Sequence, residues 1–176
     1  MNADFELAVQ YACARSGVPH RHSVTRWIAS TLKCSAMLTV RYVDLIEARE
    51  LNRLYRGRDY PTNVLSFGYE APGAQPRRSK RPSRAAPLQG DIVICPTVVA
   101  REAQAQGKPL RAHHAHLVIH GVLHLQGYDH ENAADARMME AREQAILNAL
   151  GYADPYREHA STAAPVLRKR PLKRPV

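Results

Sequence analysis

Cysteine is scarce in this chain, with three in 176 residues, and the number is odd. Cys13, Cys34 and Cys95 are scattered through apolar contexts. A disulfide framework needs pairs and a zinc knuckle needs close doublets, so neither is expected, and the thiols read as buried and reduced. Long apolar runs are missing as well. No stretch approaches the roughly 20 apolar residues that cross a bilayer, which argues against a membrane span. The first residues, MNADFELAVQ, carry acids where an export signal carries a basic region, so the expected location is the cytoplasm. Acids are the minority charge. Asp and Glu total 16 against 25 Lys and Arg, for a formal net charge of +9. Such a balance favours polyanionic partners, nucleic acid or an anionic membrane surface.

The basic residues are unevenly spread. One cluster, RRSKRPSR, runs from Arg77 to Arg84 inside a stretch rich in Pro, Gly and Ala that begins near Ala71. Another, LRKRPLKRPV, closes the chain. Proline and like charges both oppose packing, so the two read as flexible arms on a body nearer neutrality. The expected organisation is one domain over residues 1–156, interrupted by a basic insertion at about 71–87, followed by a disordered basic tail at 157–176. A hydrophobic fraction of 45% is ordinary for a globular domain.

Several elements are visible from periodicity. FELAVQY, Phe5 to Tyr11, alternates like a strand, although its Ala and Leu would also suit a helix. Ser23 is placed to cap a helix running to Leu32, with Val24, Trp27 and Ile28 on one face. MLTVRYVD, Met37 to Asp44, has the β-branched content of a strand, and Asp44 then caps a helix that ends at Gly57. NVLSFGYE and GDIVICP read as two further strands. Thr97 opens a helix to Gln106. Another spans Leu110 to Gln126, and the last runs from Glu131 to Leu150. Helices interleaved with strands predict an α/β (α+β) single domain with a small mixed sheet packed by several helices. The strands near Val64 and Ile92 are expected to lie against the helix that begins at Leu110.

The segment HGVLHLQGYDH, His120 to His130, carries the chemistry. Residues four apart share a helix face, so His120 and His124 present two imidazoles side by side. Gly127 can adopt a left-handed conformation and end the helix, allowing His130 to fold back toward the same point. Three neutral nitrogen ligands with a fourth position open are the pattern of a catalytic zinc site, here at the end of a helix. An open position lowers the pKa of water held there. His116 lies one turn earlier and is expected behind the ligands or in a substrate groove. His113 and His114 are expected to face solvent or the groove wall. Asp129 adjoins a ligand and could orient the turn or a histidine.

The same H-x-x-x-H-x-x-G-x-x-H spacing occurs in metzincin peptidases. There a glutamate directly after the first histidine is the general base. Here that residue is Gly121, which has no proton-accepting side chain. The spacing therefore keeps the metal and loses the peptidase base.

HGVLHLQGYDH is similar to the signature of the YbeY family of single-domain, metal-dependent endoribonucleases. LNRLYRGRDYPTNVLSF, Leu51 to Phe67, resembles a second motif of that family, and GDIVIC, Gly90 to Cys95, a third. EAQAQGKP from Glu102 and GYADPY from Gly151 fit as well, so the resemblance covers about residues 5–156. It implies zinc ligands at His120, His124 and His130, and a functionally important arginine at Arg56. A guanidinium can hold a phosphate through two hydrogen bonds, although a cation at a helix C-terminus also has a purely local reason to be there. Two features depart from the family pattern: the lengthened basic loop and the basic extension after Tyr156. Both could add phosphate contacts.

The resemblance implies a single-strand-specific zinc endoribonuclease in ribosomal RNA maturation, including the 16S rRNA 3′ end, and in ribosome quality control. Its partners would be ribosomal RNA and small-subunit ribosomal proteins. Two alternatives stand beside it: a non-catalytic zinc-containing assembly or RNA-binding factor, and a metzincin-like peptidase.

Overall fold

The computed structural model describes residues 4–69, 87–130 and 132–157. The basic cluster at 77–84 and the tail from 158 onward lie outside the described residues. Among the described residues, nine elements follow in chain order: β1 (Phe5–Ala12), α1 (Arg21–Thr31), β2 (Ala36–Val43), α2 (Leu45–Arg56), β3 (Val64–Tyr69), β4 (Leu88–Ile94), α3 (Pro96–Ala105), α4 (Leu110–Leu125) and α5 (Ala133–Ala149).

The strands form one mixed sheet in the order β1-β2-β4-β3. The β1–β2 and β2–β4 pairs are parallel, and β3 runs antiparallel to β4. Alternation decides the ambiguity at β1. Only a two-residue period puts Phe5, Leu7, Val9 and Tyr11 together against the main core. The same period divides neighbours elsewhere. Tyr42, Val64, Ile92 and Ile94 join that main core, while Val43, Leu65 and Val93 meet Ala48 of α2 in a smaller cluster.

Helix α4 is apolar almost all round, with Ala115, Leu117, Val118, Ile119, Val122 and Leu123 buried. A helix of that kind belongs inside the fold. It packs against β3 and β4, as expected, and against α1, α3 and α5. It lies tight against the sheet at Gly121. A Cβ there would lie 3.0 Å from Ile92 Cγ2 and 3.0 Å from Ser66 Oγ, two residues that face each other across β3 and β4. One turn on, Leu125 lies over Gly90, where a Cβ would meet it at 2.7 Å. Glycine at 121 is thus a packing requirement, set by how close the helix lies to the strands.

Three helix starts differ from expectation. α3 opens at Pro96, one residue before Thr97, because proline suits the first helical position. α1 begins at Arg21 with His20 at the cap, and Ser23 is buried inside the first turn. Core packing, not a hydroxyl cap, sets that end. α5 begins at Ala133, two residues later than expected, because the Asn132 side chain accepts hydrogen bonds from the amides of Ala134 and Asp135. Asp44 does cap α2, accepting from the Glu47 amide, and Gly57 ends that helix at φ 66°.

Candidate metal centre

His120 and His124 lie on the last turns of α4, and their Nε2 atoms approach to 3.0 Å. The helix ends immediately afterwards. Gly127, at φ 88°, donates its amide to the His124 carbonyl at 2.9 Å, and the Tyr128 amide donates to the Leu123 carbonyl at 3.0 Å. This paired closure satisfies two carbonyls at the helix end and reverses the chain. The Asp129 carboxylate then accepts from the His130 amide at 2.7 Å. His130 comes back over the helix end, with its ring centroid 4.9 Å from that of His124 and 5.8 Å from that of His120.

The three imidazoles offer ligand atoms that all lie within 4.8 Å of one another. Zinc–nitrogen bonds of about 2.0–2.1 Å in a tetrahedral site put nitrogens roughly 3.3 Å apart, so the set fits such an ion. Electrostatics agree. Burial, together with the rings of His120 and His124's other neighbour His130, lowers the pKa of His124 and favours the neutral ring a metal requires.

The cluster opens into a cleft of about 900 Å³. Ser66 and Gly68 of β3 contribute to one wall, and His116 and Tyr156 also line the cleft. Arg56, the last residue of α2, and Arg58 line it too. Arg56 forms no ion pair among the described residues, so its guanidinium is available to an anion. Arg58 donates to the Tyr60 hydroxyl at 2.9 Å. All four candidate residues from the sequence, Arg56, His120, His124 and His130, therefore meet in one cleft.

Residues 19–151 match the family profile described as Endoribonuclease YbeY. The chain belongs to the YbeY family. Among curated relatives, an Endoribonuclease YbeY of Cupriavidus pinatubonensis is 50% identical over 85% of this chain and 69% of its own length. One of Stenotrophomonas maltophilia is 51% identical over 86% of this chain and 92% of its own. A third, of Thiobacillus denitrificans, is 49% identical over 89% and 99%. The solution structure of TM1509 from Thermotoga maritima is 21% identical, with a TM-score of 0.46, over 86% of this chain and 99% of that one.

The structure also brings in side chains to which sequence reasoning gave no role. Glu143 of α5 is 0% exposed. One carboxylate oxygen is 2.7 Å from His120 Nδ1, the other 3.0 Å from His116 Nε2, and the Tyr156 hydroxyl donates to the same carboxylate. Burial alone would raise the Glu143 pKa. The hydrogen bonds from His116, His120 and Tyr156 outweigh it and hold the carboxyl at about 2. The signal in the sequence was an acid on the buried face of α5, in line with Met139, Ile146 and Leu147.

His113 and His114 depart from expectation. They are 5% and 1% exposed and belong to the interior, because α4 is packed on nearly every side. His113 Nε2 is 2.8 Å from the Glu102 carboxylate, which also accepts from the Asn63 side chain at the edge of the cleft. Desolvation raises the Glu102 pKa, but the His113 and Asn63 hydrogen bonds win and lower it. His114 lies edge-on to the Tyr42 ring.

Proposed function

We propose that this chain is a zinc-dependent, single-strand-specific endoribonuclease acting on ribosomal RNA, including maturation of the 16S rRNA 3′ end, and in ribosome quality control. The observation that carries the reading is the convergence of three imidazoles in a cleft that Arg56 and Arg58 also line. Membership of a family whose curated relatives are named endoribonucleases supplies the reaction class.

His120, His124 and His130 would hold the ion. Zinc in such a site supplies Lewis-acid polarisation of a phosphodiester oxygen and activation of water. Arg56 would engage the scissile phosphate through paired N–H donors and oppose charge building on it in the transition state. The Schellman-type turn at Gly127 keeps His130 over the helix end, and the contact of Gly121 with the sheet fixes where His120 and His124 stand. The net charge of +9 favours collection of RNA from solution. A ribosomal RNA partner, contact with small-subunit ribosomal proteins and a cytoplasmic location all belong to this reading. Among the described residues, no helix is long and apolar enough to cross a membrane. The domain division proposed is a metallonuclease body through residue 156 with basic additions at about 71–87 and 157–176. A peptidase reading finds no support at Gly121, whose position faces the strands.

The test pairs metal content with cleavage. Purified wild type, His124→Ala and Arg56→Glu are assayed for bound zinc and for cutting of single-stranded and structured ribosomal RNA. The expected result is about one zinc per chain in wild type and Arg56→Glu, loss of zinc in His124→Ala, and loss of cleavage in both variants. Zinc bound without RNA cutting by any preparation would turn the reading to an assembly factor. Chelator-sensitive cleavage of unstructured protein would turn it to a peptidase. Failure of metal-replete wild type to retain metal would overturn the site.

A further inference from the structure

The Glu143 carboxylate is buried, yet it is surrounded by three donors from two separate segments. His120 and His116 reach it from α4, and Tyr156 reaches it from the chain after α5. An ionised carboxylate only accepts hydrogen bonds. The ring nitrogens that face it must therefore carry the protons: Nδ1 on His120 and Nε2 on His116. For His120 this leaves Nε2 as the lone-pair nitrogen, and Nε2 is the atom that stands 3.0 Å from His124 Nε2. The tautomer needed at the three-histidine cluster is thus selected from behind the ring.

We propose that Glu143 is the positioning residue of the metal centre: it holds His120 in the Nδ1–H tautomer with Nε2 turned to His124 and His130, and it ties His116 and Tyr156 to the same anchor. The proposal rests on the reading of His120, His124 and His130 as ligands. Carboxylates behind ligating histidines fix ring orientation and raise ligand basicity, and their loss typically costs 10–100-fold in metal affinity. Glu143 acts through His120 and lies outside the group of three ligand atoms that faces the cleft. The shared anchor also explains why a full negative charge is tolerated at 0% exposure: three donors replace the water it has lost.

The test uses the full chain as wild type, Glu143→Gln and Glu143→Leu, with zinc and cobalt affinities measured by competition against a chromophoric chelator and the cobalt spectrum recorded. Glu143→Leu removes every acceptor and is expected to weaken binding by about 10–100-fold. Glu143→Gln keeps one amide oxygen for His120 Nδ1–H and is expected to recover part of that loss. A merely structural glutamate would lower the melting temperature of both variants while leaving affinity and spectrum unchanged, and that result overturns the proposal. Should neither variant fold, the imidazole nitrogen signals of zinc-loaded wild type decide. A proton on His120 Nδ1 with Nε2 bound supports the assignment, and the reverse overturns it. If wild type itself binds neither metal, the ligand reading fails, and the Glu143 proposal fails with it for a reason visible before any variant is made.

Discussion

Gly121 offers the sharpest perturbation. A methyl group there would sit 3.0 Å from Ile92 Cγ2, 3.0 Å from Ser66 Oγ and 3.1 Å from Ile92 Cδ1. Ile92 is fully buried in β4, a strand with neighbours on both sides, so it cannot retreat without moving the sheet. Replacing glycine by alanine inside a helix would by itself gain about 0.5–1 kcal/mol. Overpacking a tight interior costs about 1–3 kcal/mol. The clash wins, and Gly121→Ala is expected to lose about 1–2 kcal/mol, a fall of a few degrees in Tm for a domain of this size. The damage is not confined to stability. The strain is relieved by lifting α4, which moves His120 and His124 together relative to Glu143 and His130, so zinc affinity falls as well. Urea unfolding followed through Trp27, the single tryptophan and a buried one, measures the first effect, with the m value unchanged. Chelator competition measures the second. An alanine variant as stable as wild type would refute the packing account. Gly121→Glu extends the test, since it restores the peptidase residue to its place in the spacing. Its carboxylate would enter the contact between helix and strands, so the expected outcome is a protein that does not fold. A folded Gly121→Glu protein with zinc-dependent proteolysis would refute the account altogether.

Two further outcomes are expected. Burial, with the neighbouring His113, lowers the pKa of His114 from 6.5 to about 4. The unfolded chain therefore takes up this proton first as pH falls, and stability is intact above pH 6.5 and lost progressively toward pH 4. The full loss is about 3 kcal/mol. Chemical denaturation across that window should be steeper for wild type than for His114→Leu, and equal slopes would refute the assignment. Removing residues 158–176 takes away Arg168, Lys169, Arg170, Lys173 and Arg174. The dependence of RNA affinity on salt should become shallower, by up to about 3 in the log–log slope, without loss of cleavage at saturating RNA. An unchanged slope would refute a role for the tail in phosphate contact.

The histidine cluster was legible in the sequence because its logic is local. Helical spacing aligns His120 with His124, and a glycine able to take positive φ returns the chain at His130. Asp44 and Gly57 were legible for the same reason, since a cap and a left-handed terminator act within a few residues of themselves. Arg56 came from resemblance, and in the structure it lines the cleft. Where local signals competed with packing, they failed. Ser23 has the chemistry of a cap and is buried in the first turn of α1, while His113 and His114 have the polarity of surface residues and are enclosed.

Sequence alone determined the metal-ligand candidates, the alternation of strands and helices, and the basic character of the chain. These follow from short-range periodicity, turn chemistry and charge, which are properties of neighbouring residues. Only the tertiary structure decided the rest. Glu143 reaches His120 across 23 positions of chain, Tyr156 joins the same carboxylate from beyond α5, and Gly121 of α4 owes its identity to Ser66 and Ile92 on two strands. A contact between distant segments leaves no period to read, because either partner by itself is only an acid on a buried face or a glycine in a helix.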